Sequence, residues 1–293
     1  MGSTIIPDTP IPMTRMAVVT TSSTWTHPDG YGSPRMVQII ACGGGSGARN
    51  GGASIRTTAG QTSGGTGGAS GYLQAIQFPM TADATIVIGS GGTGGASAVA
   101  SGATTSATIN YGTAGGNTTV TSGTFYTQAK GATAATATPT TANGSSAGGP
   151  NNTIGYDFGF GTGQSDGSNS SVLGIINTES TGVNGQNPLN DTALMKYAAG
   201  GGAGSVDILS ATPASSSGLR GGYGFYNGGA SGNSVYSATA NGTATGTAGS
   251  NGGLGAGGGS GGCAQVRNAT ITSAVATSGK GGDGGAGYVV IIY

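Results

Sequence analysis

Apolar residues in this chain are gathered into a few short β-type runs that are separated by long glycine-rich tracts. The clearest runs are Met36–Ala41, Thr85–Ile88 and Tyr288–Tyr293. They are rich in β-branched residues, which favours strands, and no segment shows a convincing amphipathic helix. The last run, YVVIIY, hardly alternates between apolar and polar residues, a pattern typical of a strand that is covered on both faces. We expect an almost helix-free chain in which this final strand pairs with the early strands.

Glycine makes up 65 of the 293 residues, roughly three times its ordinary share. Collagen is excluded because it needs a strict Gly-X-Y period and abundant proline, whereas the period is broken here and there are 10 prolines. A disordered Gly/Ser linker is the simplest alternative. It is disfavoured by the β-rich runs between the tracts and by a charged fraction of only 6%, since disorder usually accompanies high charge.

The remaining interpretation is an ordered glycine-rich structure. Glycine tolerates extended left-handed helices with about three residues per turn, whose peptide groups reach neighbours on several sides. The chain supplies many tracts that could pack in this way, joined by segments rich in Ser, Thr, Asn and Ala, which are typical of loops. The tracts are Gly43–Gly52, Gly64–Gly71, Gly89–Gly95, Gly200–Gly204, Gly221–Gly229, Gly252–Gly262 and Gly279–Gly287.

Two parts of the sequence resemble the glycine-rich domain of bacteriophage tail-fibre proteins. The opening pattern is aromatic–Pro–x–Gly, strand and glycine tract, carried by Trp25, Pro28, Gly30, Met36–Ala41 and Gly43–Gly45. The ending GKGGDGGAGYVVIIY resembles the terminal Gly-Asp-Gly, aromatic and aliphatic strand of that family. The resemblance implies a mostly irregular, all-β fold, a polyglycine II helix sandwich with short strands at its start and end and almost no α-helix.

The resemblance also implies a domain organisation. Residues 1–19 are predicted to form an extended proline-containing arm, because Pro7, Pro10 and Pro12 bias the chain away from helix. Residues 20–293 are predicted to form one glycine-rich domain. We expect the arm to dock onto other virion or tail-fibre proteins, and a disordered terminus is the alternative.

Composition removes several classes of function. The net charge is zero, and the nine basic residues are scattered, so neither nucleic acid nor an anionic membrane is expected as a partner. No apolar run approaches the roughly 18 residues of a membrane span. The matches to G-x-G-x-x-G at 89–94 and G-x-S-x-G at 258–262 are what so many glycines produce by chance.

Candidate chemistry is sparse. His27 is the one histidine and stands in the entry pattern, where a structural role is expected. We therefore predict no enzyme activity, no cofactor and no metal site. Cys42 and Cys263 could pair, but buried free thiols are favoured.

Aromatic residues provide the candidate binding surface. Tyr and Phe give large contact areas at low entropic cost, and Ser, Gly and Asn add adaptable hydrogen bonds. The alternative is that the rings fill gaps in the core or a subunit interface. The expected receptor contacts are Tyr156, Phe158, Phe160, Tyr223, Phe225 and Tyr226, with Phe125, Tyr126 and Tyr236 as weaker candidates.

The predicted function is that of a virion protein assembled in the host cytoplasm. As a phage tail-fibre tip or adhesin it would bind a host bacterial receptor, either an outer-membrane protein or a polysaccharide, through loops that join the glycine tracts. The alternative is a structural virion component, such as a fibre shaft, collar or capsid decoration, without receptor binding. An ice-binding protein or an enzyme is a weaker third hypothesis.

Overall fold

A computed structural model describes residues 15–32, 35–134, 156–158, 197, 199–208, 214–222 and 224–293, and for 156–158 it describes the backbone alone. Within these ranges there is no helix, and the regular elements are short strands. The strands are β1 (Met16–Val19), β2 (Ser23–Trp25), β3 (Arg35–Cys42), β4 (Ala53–Arg56), β5 (Leu73–Met80), β6 (Ala84–Val87), β7 (Val99–Gly102), β8 (Thr105–Ser106), β9 (Thr118–Ser122), β10 (Phe125–Ala129), β11 (Tyr156–Phe158), β12 (Val235–Ser237), β13 (Thr243–Thr245), β14 (Ala264–Arg267), β15 (Ala274–Thr277) and β16 (Tyr288–Ile292). The expectation of an all-β and irregular chain is confirmed over the described residues.

The closing strand lies inside a five-stranded sheet of order β1-β16-β3-β5-β11. β16 is antiparallel to both of its neighbours, with Val290 opposite Val18 of β1 and Ile40 of β3. The residues from Tyr288 to Ile291 are buried, which explains why this run shows so little alternation. The predicted pairing of the final strand with early strands is confirmed. Residues 16–19, which the sequence placed in the arm, form β1.

Three smaller sheets complete the strand structure. Their orders are β10-β9-β6-β2, β12-β14-β4-β8 and β13-β15-β7. The first packs on the five-stranded sheet around Ile39, Phe78 and Val120. The other two share a separate core that includes Ile55 and Val266.

The segment 43–52, here called the first central segment, connects these two regions. It donates its backbone N–H groups to three neighbours in rotation. Every third N–H, starting at Gly43, bonds to a carbonyl of residues 63–72, the next set bonds to residues 110–116, and the third set bonds to residues 279–285. Within each set, the number of the accepting residue falls by three from one hydrogen bond to the next. Successive N–H groups of the first central segment therefore point to three different sides.

The carbonyl groups of the first central segment face three further neighbours. They accept the N–H groups of Gly92 and Gly95, of Gly258, Gly261 and Ala264, and of Ala132. The first central segment is therefore hydrogen-bonded on all sides. Residues 255–264, here called the second central segment, are likewise bonded to neighbours around their circumference. Residues 246–250, which lie in one of the loop-like segments between the glycine tracts named above, belong to this network and bond to the second central segment.

Glycine is required where the segments touch. A Cβ on Gly45 would overlap the carbonyl oxygen of Ala256, and one on Gly47 would overlap the carbonyl oxygen of Thr93. These contacts are between backbones, so no side-chain rearrangement can relieve them.

Hydroxyl and carboxylate oxygens complete the hydrogen bonding where a backbone partner is missing. Ser46 Oγ accepts the N–H of Ala69 at 2.8 Å, and Asp283 Oδ1 accepts the N–H of Gly94 at 2.7 Å. A buried N–H without an acceptor is costly. The Ser, Thr and Asn residues among the glycines therefore help to satisfy the network as well as to form loops.

Candidate functional site

The predicted contact residues are not gathered at one place in the described structure. Phe160 and Tyr223 lie outside the described residues. Tyr156 and Phe158 belong to β11, whose backbone pairs with β5 so that Tyr156 is opposite Ala75. Their side chains also lie outside the described part of the chain, so no contact of these four principal candidates is described. All six stay predictions as receptor contacts.

Phe225 and Tyr226 pack against a buried tyrosine of the closing strand. The Phe225 ring centroid lies 4.8 Å from that of Tyr226 and 5.6 Å from that of Tyr288, and the Tyr226 and Tyr288 centroids are 5.2 Å apart. Phe225 is 36% exposed, whereas Tyr288 is fully buried. Phe225 and Tyr226 therefore form the outer layer of a core, and each retains some surface for contact with a partner.

Tyr288 is held by its environment in the neutral form. Its hydroxyl donates a hydrogen bond to the carbonyl oxygen of Tyr197. Burial raises the pKa of Tyr288 well above its ordinary value, and the nearby Cys42 thiol adds to this effect. This tyrosine anchors the closing strand and is not accessible to a ligand.

Phe125 and Tyr126 are adjacent in β10 but face opposite sides of the sheet, as alternation requires. The Phe125 ring stacks on Phe78 with centroids 3.6 Å apart and planes inclined by 8°. Tyr126 is 52% exposed, and its hydroxyl donates to Gln128 Oε1 at 3.0 Å. Phe125 is thus part of the packing between the sheets, and Tyr126 is available at the surface.

Tyr126 begins an exposed and uncharged row across the four-stranded sheet. It is opposite Thr121 of β9, which is opposite Thr85 of β6, which is opposite Thr24 of β2. All four side chains are exposed. This row offers a tyrosine ring with its hydroxyl and three threonine hydroxyl groups, a composition suited to a polar and uncharged partner.

Tyr236 lies in β12, at the edge of a different sheet. Its backbone N–H donates to Ser215 Oγ at 2.9 Å, and its side chain is half-buried. This position is at the end of the first central segment opposite to the five-stranded sheet, because β4 follows Gly52 directly and shares a sheet with β12.

His27 has a structural environment. It is 4% exposed, and its Nδ1 accepts the N–H of Asp29 at 3.1 Å. Its ring lies 5.7 Å from Trp25 and 5.4 Å from Tyr293. The aromatic–Pro–x–Gly pattern therefore builds a small aromatic cluster against the end of the closing strand.

The two cysteines are free and buried. The Cys42 thiol faces the carbonyl of Gly71, and that of Cys263 faces the carbonyl of Val206. Burial raises the pKa of Cys42 to about 12 and that of Cys263 to about 11. Both thiols are protonated and unreactive at neutral pH.

Arg49 is the residue that the sequence analysis missed. It is fully buried in the first central segment, with Nη2 donating to the carbonyl of Gly64 and Nε to that of Asn50. The Asp207 carboxylate accepts the N–H of the same Gly64. Gly64 is therefore hydrogen-bonded both to the Arg49 guanidinium and to the Asp207 carboxylate. Burial lowers the pKa of Arg49. The signal in the sequence is one long cationic side chain within a tract of small residues.

No group of three or more His, Cys, Asp or Glu side chains that could hold a metal ion occurs in the described part of the chain. Over the same residues, no helix is long and apolar enough to cross a membrane. The surface features described above offer rings, hydroxyls and backbone groups for non-covalent contacts.

Comparison with known proteins identifies the family. A search of curated proteins gives no match. A family model described as a glycine-rich domain matches residues 17–293, a range that includes the aromatic cluster, both central segments and the closing strand. The chain belongs to this family of glycine-rich domains.

Proposed function

We propose that the glycine tracts are polyglycine II helices packed as a sandwich, and that the protein is a non-enzymatic phage tail-fibre tip adhesin. The rotation of hydrogen bonds around the first central segment supports the polyglycine II part of this proposal. Its N–H groups turn to a new neighbour at each residue and return to the first neighbour after three residues. A left-handed helix with about three residues per turn has this property.

Such a bundle would be a rigid scaffold. When backbone groups on every side are paired, a segment cannot shift without breaking several hydrogen bonds. Loops that leave a rigid scaffold are held in defined positions, as in other proteins that bind through loops. The resemblance of the entry pattern around Trp25 and of the closing strand to tail-fibre proteins favours adhesion to a bacterial outer-membrane protein or surface polysaccharide.

The position of Arg15 favours an orientation. Arg15 and Tyr293 are hydrogen-bonded to each other beside the five-stranded sheet, so the preceding residues 1–14 start from that end. If these residues attach the protein to the virion, the opposite end faces the host. That end carries Tyr236 and the turn between β12 and β13, where Asn241 has a positive φ of 56°, whereas Tyr126 is on the flank of the four-stranded sheet. These two regions are the proposed receptor surfaces.

A structural virion component is the second candidate. The inward packing of Phe225 on Tyr288 and of Phe125 on Phe78 supports it, because these rings contribute to the fold and leave less aromatic surface for a receptor. A fibre shaft, collar or capsid decoration would need the rigid bundle and no receptor.

Adsorption competition tests the proposal. Purified protein is added to a panel of bacterial strains before the phage that encodes it, and the fraction of unadsorbed phage is measured. We expect inhibition on the permissive strain alone, together with immunogold labelling at the fibre tips of virions assembled in the host cytoplasm. Labelling of the shaft or capsid without any inhibition would favour the structural alternative, and absence of the protein from virions would refute both.

A further inference from the structure

The outer edge of β1 has no partner strand among the described residues, since β1 is the last strand of its sheet. We infer that two copies of this protein pair through β1, antiparallel and about a two-fold axis, to form a homodimer. Three observations support this inference: the direction of the backbone groups, the exposure of the side chains and the absence of charge.

The backbone groups that face the open edge belong to Met16 and Val18. Arg15 and Tyr293 exchange both N–H···O bonds, each at 3.0 Å. Hydrogen-bonded and non-hydrogen-bonded pairs alternate along an antiparallel ladder, so Ala17 and Val19 also bond to β16. The N–H and C=O groups of Met16 and Val18 therefore point outward, where they can bond to another strand.

The side chains of the same two residues are exposed. Met16 is 55% exposed and Val18 39%, whereas Ala17 and Val19 pack into the core on the other face of the sheet. Met36 of β3 is also exposed and lies on the same face as Met16. An apolar patch thus borders the unpaired edge.

A second copy of the chain fits this edge because β1 is uncharged. A two-fold axis brings each residue close to residues of the same strand, so any charge on the strand would face its like. β1 reads MAVV and lacks the lysine or proline with which natural edge strands prevent pairing. Arg15, the nearest cation, is 3.7 Å from Asp29 in an exposed ion pair.

The geometry fixes the register. With Ala17 opposite Ala17 of the second copy, Met16 and Val18 of one copy exchange hydrogen bonds with Val18 and Met16 of the other. Their side chains then lie on one face and pack across the axis. Because so short a strand buries little surface, we expect a weak dimer with a dissociation constant in the micromolar range.

Analytical ultracentrifugation of the full chain over a range of concentrations tests the inference. Val18→Pro removes an outward N–H and leaves the bonds to β16 intact, and Val18→Lys adds a charge at the axis. We expect each to weaken dimerisation by about tenfold or more. Thr85→Lys, which adds the same charge on an exposed strand of the four-stranded sheet, is the matched control and should have no effect.

Thermal unfolding of every variant shows whether it is folded. A full chain that stays monomeric up to about 100 µM, or a dimer that Val18→Pro and Val18→Lys leave unchanged, would overturn the inference. Dimerisation only after deletion of residues 2–14 would also overturn it, because those residues, and not a second copy, would then occupy the edge.

Discussion

The carbonyl oxygen of Ala256 lies against the Cα of Gly45, so close that a Cβ on this glycine would overlap it. The two residues belong to the first and second central segments, which are buried at every residue except the partly buried Gly52. Gly45→Ala should lower the free energy of unfolding by roughly 3 kcal/mol or more, because two backbones must separate. Urea unfolding measures this change.

Gly32→Ala is the control for that measurement, because nothing lies within 4 Å of the added methyl group at Gly32. It should change the free energy of unfolding by less than about 0.5 kcal/mol. Equal effects of the two substitutions would mean that close packing of the central segments does not determine stability.

Arg49 should contribute to stability through its hydrogen bonds to buried carbonyl groups. Arg49→Ala removes the donors to Gly64 and Asn50 and leaves a cavity, so we expect a loss of about 2–4 kcal/mol. Arg15→Ala removes an arginine whose side chain is 62% exposed and should cost less than about 1 kcal/mol. A neutral or stabilising Arg49→Ala would show that the desolvation cost of the buried cation outweighs its hydrogen bonds.

Stability should fall at alkaline pH because the buried thiols resist ionisation. Burial raises the pKa of Cys42 to about 12 and that of Cys263 to about 11, from an ordinary value of 9.0. Above pH 9 the unfolded chain loses thiol protons that the folded chain retains. The free energy of unfolding therefore decreases with pH, by up to about 1.4 kcal/mol per thiol and pH unit, until the folded thiols ionise.

Chemical denaturation between pH 8 and 10 measures this dependence, and Cys42→Ala with Cys263→Ala is the comparison. The double variant should show a flatter pH profile below pH 10. Above that pH, Tyr288 adds a dependence of the same sign, because its pKa is also raised. An identical slope in the two proteins would contradict the assignment to the thiols.

Substitutions at Phe125 and Tyr126 distinguish a role in the fold from a role in binding. Phe125→Ala should destabilise the protein by about 2–4 kcal/mol, because its ring stacks on Phe78. Tyr126→Ala should change the free energy of unfolding by less than about 0.5 kcal/mol. It should weaken receptor binding by roughly 1–3 kcal/mol, which is measured as weaker inhibition of phage adsorption. If the Tyr126→Ala protein still inhibits adsorption fully, the four-stranded sheet is not part of the receptor surface. The end near Tyr236 is then the remaining proposed surface.

The N-terminal arm should attach the protein to the virion. Deletion of residues 2–14 is expected to release the protein from phage particles and to leave its melting temperature nearly unchanged, because Arg15 and all of β1 are retained. Immunoblotting of purified particles measures incorporation. Normal incorporation of the shortened chain would refute the docking role.

The sequence by itself determined the all-β class of fold and the membership of a family of glycine-rich domains. Glycine content, missing helical periodicity and β-branched runs indicate an all-β chain, since these properties depend on local conformational preference. The closing strand was also predictable, because YVVIIY has no polar face to expose. His27 and both cysteines were expected to have structural roles, and the structure places all three in buried positions.

The tertiary structure decided which neighbours each segment has. A glycine tract carries few side chains that could distinguish one partner from another, so the six neighbours of residues 43–52 could not be read from the sequence. The same holds for residues 246–250, whose polar composition suggested a loop but whose oxygens and N–H groups complete a network. Phe125 and Tyr126 look alike in sequence, and only the packing of β10 on Phe78 makes one a core residue and the other a surface residue.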